Sequence, residues 1–153
     1  MQVALDTVMG NEAVSGYELV DHTADLGVRV FAPTRAGLIG PATAGFYATI
    51  GNVHPGVHDA TAPRTFEFSG DDDAVLLRDY LAELLVLFET QRRMLVEAHA
   101  AEFTASVLRV SGREQTIDWA QSALDREVKA VTYHELMVRQ TAQGFEAFFL
   151  VDI

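Results

Sequence analysis

The sequence predicts an α+β domain in which two main helices pack on a largely antiparallel, mixed β-sheet. Three observations lead there. Runs rich in β-branched and aromatic residues sit towards both ends of the chain, at residues 17–20 and 26–32 and again between residues 129 and 153. Between them, two stretches repeat apolar side chains at spacings of three and four. At 153 residues, 49% of them hydrophobic, the chain has enough apolar material for one proper core, and no break in composition calls for a second.

Taken in order, residues 1–16 read as a flexible leader and residues 17–153 as a single domain. The leader has neither a positive stretch nor an apolar core of signal-peptide length. No apolar run in the chain approaches the roughly 20 residues that a membrane-spanning helix needs. A soluble, cytoplasmic protein with no membrane contact is the expectation.

Asp21-His22-Thr23-Ala24-Asp25 separates the first two strand candidates and is built of turn formers. Thr34 is placed to cap a helical pattern of Leu38, Ile39, Ala42, Phe46 and Ile50, but Pro41 breaks its start. A short first turn followed by a helix over 41–50 is expected. Residues 51–63 form a loop whose His54 and His58 have a metal-ligand spacing only on a helix, which Pro55 and Gly56 oppose. A strand at 65–68 leads to Asp71-Asp72-Asp73, acids that suit the positive N-terminal end of the following helix. That helix carries the stripe Leu77, Leu81, Leu84, Leu85 and Phe88, and Arg92 and Arg93 suit its negative end. Residues 95–110 read as strand, Ser111-Gly112-Arg113 as a turn, and 114–119 as a returning strand. The last stretch reads as a hairpin turning at Ala142-Gln143-Gly144, with the only lysine, Lys129, at its start and Asp152-Ile153 at its end.

The formal charge of -11 disfavours direct, tight nucleic-acid binding and suits a hard cation or a basic partner. With no cysteine, disulfides, thiolate zinc sites and a Cys nucleophile are excluded. No nucleophile elbow, phosphate-cradling glycine loop or His-Glu-x-x-His helix is present, so no catalytic residues are assigned. If the final strand pairs near the Asp21–Asp25 segment, Asp25, Asp152 and the Ile153 carboxylate would supply oxygen ligands to calcium, magnesium or manganese. Nothing in spacing joins position 25 to position 152. His22 would pull the choice towards manganese or zinc, and it is left outside the ligand set.

The segments DHTADLGVRV (21–30), KAVTYHELMV (129–138) and the terminal VDI together resemble the archease family, and LLRDYLAELL (76–85) is similar to that family's second helix. The resemblance implies an archease-like fold and a non-enzymatic protein that activates an RtcB-type RNA ligase. It would promote guanylylation and multiple turnover of the ligase in tRNA splicing or RNA repair. It also implies that Asp25, Asp152 and Ile153 bind a divalent cation, usually taken as calcium, while Lys129, with His22 beside the site, serves activation and partner contact. The alternatives are a metal-dependent hydrolase of small substrates, with carboxylates activating water on the cation, and a general chaperone or interaction module.

Overall fold

Burial alternates along the early strands and organises the larger of the sheets. The computed structural model describes residues 3–7, 14–57 and 61–153. In chain order it comprises β1 (Val3–Thr7), β2 (Val14–His22), β3 (Asp25–Ala32), a 3-10 turn (Ala36–Leu38), α1 (Ile39–Ile50), β4 (Gly51–Asn52), β5 (Ala62–Ser69) and α2 (Asp73–Gln91). It continues with β6 (Arg93–Phe103), β7 (Val107–Thr116), β8 (Ala123–Leu124), β9 (Ala130–Val131), β10 (Met137–Thr141) and β11 (Gly144–Asp152). Two helices on antiparallel strands give the α+β class that the pattern of elements predicts. No helix among the described residues is long and apolar enough to cross a membrane.

Short hairpin links force antiparallel neighbours, and every pairing among the described strands is antiparallel rather than mixed. The strands divide into three sheets. The six-stranded sheet runs β1-β2-β3-β11-β10, with β9 also paired to β11; β5-β7-β6 and β4-β8 form the others. The last strand of the chain therefore lies inside the largest sheet. Of the leader expected at 1–16, residues 3–7 pair with β2 and residues 14–16 belong to β2 itself. The rest of that leader lies outside the described residues, as does His58.

Leu26, Val28, Val30 and Ala32 turn one face of β3 into the core, where Gly45 of α1 lies close to Val28 and Tyr17. Phe149, Ala147 and Val151 supply the same layer from β11. α1 buries Ile39, Ala42, Phe46 and Ile50, and α2 buries Leu77, Tyr80, Leu81 and Leu84. The two deepest phenols are satisfied: Tyr80 Oη lies 2.6 Å from Thr43 Oγ1, and Tyr47 Oη accepts the Leu95 N–H at 2.8 Å. Burial pushes both phenols well above the usual tyrosine range.

The acids before α2 do cap it, since Asp72 Oδ1 accepts from the Ala74 N–H at 2.9 Å. α1 begins two residues earlier than expected, because Pro41 falls within its first turn, where a missing N–H costs nothing. Thr34 Oγ1 accepts from Gly37 N at 3.0 Å, so it caps the 3-10 turn instead. The turn expected at Ser111-Gly112-Arg113 is not one. Those residues lie inside β7, opposite Thr65, Arg64 and Pro63. The glycine is there for close approach, as a Cβ on Gly112 would come within 2.8 Å of the Val96 carbonyl. The reversal falls between β6 and β7, where Thr104 Oγ1 accepts from Ser106 N and Val107 N.

Candidate functional site

Residues directly opposite on an antiparallel pair share a face of the sheet. His22 is opposite Asp25 across β2 and β3, Asp25 is opposite Asp152 across β3 and β11, and Asp152 is opposite Ala130 across β11 and β9. One row thus crosses four strands. Since Leu26, Val28 and Val30 face the core, the period-two alternation of β3 sends Asp25 out on the face opposite α1. His22 and Asp152, being in its row, leave the sheet on that same side.

The remaining sequence-predicted residues cluster at this end. Ile153 follows Asp152 directly and is 39% exposed. The Lys129 N–H donates to the Asp152 carbonyl at 2.8 Å, while its side chain is exposed. His22 and Asp25 flank a two-residue turn in which Ala24 is left-handed, with φ 64°. The segment, expected to be a loop or strand end with its polar groups exposed, is the tip of a hairpin, with His22 and Asp25 as the paired strand ends. His54, the other histidine considered as a ligand, is elsewhere, its N–H donating to Ser122 Oγ.

Beneath the row, Gly27 and Leu150 form the next outward pair. A Cβ on Gly27 would meet Phe148 Cζ at 2.7 Å and Leu150 Cδ2 at 3.2 Å, so these side chains occupy the space a larger residue would need. The site rests on an apolar floor.

Two features of this end carry no signal in sequence spacing. Residues 132–136 link β9 to β10, and Glu135, left-handed at φ 54°, brings its Oε2 to 2.9 Å from His22 Nε2. His22 stands three strand spacings from β9, about 14 Å, so this strap reaches back past the ends of β11 and β3. His134 Nε2 is 3.5 Å from the same Glu135 oxygen, and the His22 and His134 rings meet edge-on at 6.3 Å. Beside the strap, the Arg78 guanidinium stacks on Tyr133 at 4.3 Å while its Nε donates to the Val131 carbonyl. Tyr133 is 61% exposed. A glutamate and an arginine on a solvated face are common, so neither stands out in the sequence.

Two carboxylates directly opposite each other repel, and like charges at such positions destabilise a strand pair. Among the described residues, no arginine or lysine nitrogen lies within 4.0 Å of either, and His22 Nδ1 stands 3.7 Å from Asp25 Oδ2, beyond hydrogen-bond reach. Asp25 is a quarter exposed, so water and ions reach it. An oxygen-preferring divalent cation fits this pair. No cluster of three or more His, Asp or Glu side chains suited to a metal occurs among the described residues. Ligands beyond the two aspartates would therefore be main-chain or terminal oxygens and water.

The sequence profile of the Archease protein family matches residues 17–153, which takes in the hairpin tip, the strap and β11. This chain belongs to the archease family. It is 32% identical over 146 residues to the protein archease of Methanosarcina barkeri, covering 90% of this chain and 95% of that one. To the protein archease of Archaeoglobus fulgidus it is 28% identical over 138 residues, covering 90% and 98%. The fold is similar to the solution structure of Methanobacterium thermoautotrophicum protein 1598, with a TM-score of 0.63 at 23% identity over 90% of this chain and 99% of that one. The archease membership and the α+β architecture thus agree.

Proposed function

We propose that this archease is a non-enzymatic, metal-binding protein cofactor of an RtcB-type RNA ligase, promoting guanylylation and multiple turnover of that ligase in tRNA splicing or RNA repair. One observation carries the reading: Asp25 and Asp152 face each other in a single cross-strand row, with Lys129 tied by its main chain to the same Asp152. Asp25, Asp152 and the Ile153 carboxylate would hold the cation, calcium in the first instance, with magnesium and manganese also suited to oxygen donors. When bound, the cation supplies a fixed positive charge at the acidic end of the chain. Lys129 and His22 lie beside it and would contact the ligase. A net charge of -11 favours docking on a basic protein surface over direct grip on RNA.

A turnover assay with purified RtcB-type ligase tests this. The parent chain should raise the number of ligations per ligase, and Asp25→Ala and Asp152→Ala variants that still fold should not. Stimulation by both variants at the parent's level would sink the proposal. Turnover of phosphoesters by this chain alone would favour an enzyme instead.

A further inference from the structure

We infer that the cleft between the C-terminal end of α2 and residues 124–128 docks a basic segment of a partner protein, one that carries an apolar anchor. The cleft holds about 680 Å3. Its floor belongs to the core: Ile50, Leu85 and Val128 are buried, and Phe88 packs against the same cluster. Apolar side chains continue from the floor onto the surface. Leu124, on one wall, is 48% exposed, and Trp119, whose ring lies 6.0 Å from that of Phe88, is 40% exposed. An apolar centre inside a polar rim is the anatomy of a protein interface. None of these residues belongs to the row of His22, Asp25 and Asp152, so the inference goes beyond the cation reading and does not depend on it.

Charge on the rim decides what the cleft receives. Glu89, Arg92, Asp125, Arg126 and Glu127 stand there. Both arginines are engaged: Arg126 Nη1 donates to the Thr49 carbonyl at 3.2 Å, and the Arg92 guanidinium stacks over the Trp119 ring at 4.4 Å. The acids are not. Among the described residues, no arginine, lysine or histidine nitrogen lies within 4.0 Å of Glu89, Asp125 or Glu127. The C-terminal end of α2, with no basic residue in its last turn, adds partial negative charge at the same place. These acids do not gather into a metal cluster, so their complement is a positive segment rather than an ion. A second copy of this chain, at a net charge of -11, would set acid against acid. Lysines or arginines flanking an apolar side chain match both the rim and the floor.

Trp119 is the only tryptophan in the chain, so its fluorescence reports on this surface alone. The test titrates the purified protein with an amidated peptide of two leucines between two pairs of lysines. Trp119 emission should shift saturably to shorter wavelength as apolar cover replaces water, and added salt should weaken the binding. Calorimetry supplies the affinities. E89K and E127K should each bind about fivefold more weakly, and L124S should lose about as much. Asp71→Lys reverses an exposed acid beyond the other end of α2 and should stay within about twofold of the parent. All four side chains are exposed, so circular dichroism should match the parent throughout. Absence of a saturable shift, equal losses in D71K and E127K, or equal binding of the same peptide with glutamates for lysines would each overturn the inference. So would a dimer of the parent in sedimentation that L124S dissociates, which would give the cleft to a second copy.

Discussion

Asp25 and Asp152 stand directly opposite each other across β3 and β11, although nearly the whole chain separates them. The sign of each variant's effect depends on whether a cation is present. In chelator, Asp152→Asn should raise stability by roughly 0.2–1 kcal/mol, the size of a relieved cross-strand repulsion. With calcium at about a hundred times its dissociation constant, the parent should gain about 2.7 kcal/mol and the variant little. Urea unfolding with and without calcium measures both, and a variant destabilised in chelator would contradict the repulsion.

Extending the chain past Ile153 should mimic loss of a ligand. An added peptide converts the Ile153 carboxylate into an amide and carries its charge away. Calcium affinity should fall while unfolding in chelator stays unchanged, because Ile153 itself is 39% exposed and lies beyond the end of β11. Equal affinity in tagged and untagged protein would remove Ile153 from the ligand set.

Tyr133 separates docking from cation binding. Exposed yet stacked on Arg78, its ring presents an aromatic surface of the type enriched at protein interfaces. Tyr133→Ala should cost about 1–2 kcal/mol in affinity for the ligase and leave calcium affinity within twofold of the parent. Lys129→Ala is expected to lower ligase stimulation in the same way.

Gly144 ends the two-residue turn between β10 and β11 at φ 139°, where a Cβ would come within 2.4 Å of the Ala32 carbonyl. Gly144→Ala should destabilise the fold by about 1–3 kcal/mol, from the strained φ alone. Denaturant unfolding with an unchanged slope would identify this as loss of native stability.

Alkaline conditions should unfold the protein through its buried phenols. Burial raises the Tyr47 and Tyr80 pKa values above those of the unfolded chain, so their contribution is complete below about pH 10. Above that pH the unfolded state releases protons that the folded state retains. Stability should then fall by about 1.4 kcal/mol per pH unit for each phenol. Tyr80→Phe should remove one share of that slope, and Thr43 would keep its bond to the Ile39 carbonyl.

Local patterns are legible in the amino-acid sequence itself. The stripe Leu77, Leu81, Leu84 and Leu85 and the acid at Asp72 define α2, and Gly144 marks the final hairpin, because each signal lies within one or two turns of chain. Gly112 misleads for a physical reason. A glycine that turns and a glycine that admits a neighbouring carbonyl look alike in sequence, and only the Val96 contact tells them apart. The meeting of positions 25 and 152 depends on which strand slots beside β3, and spacing carries no information about that. For the site, the resemblance to archeases singles out the aspartates, while Glu135 becomes visible only where the strap reaches His22.

Placing the last strand inside the largest sheet also affects synthesis. Until β11 clears the ribosome, β3 lacks its partner on one side, and Leu26, Val28 and Val30 wait without Phe149 and Val151. A vacant strand flank of this kind invites pairing with other chains. The sheet cannot close while β11 is still inside the exit tunnel. A product terminated after β10 would lack the strand that joins β3 to β9 and β10, and with it Asp152, the partner of Asp25. Emergence of β11, closure of the fold and acquisition of the candidate site thus become a single event.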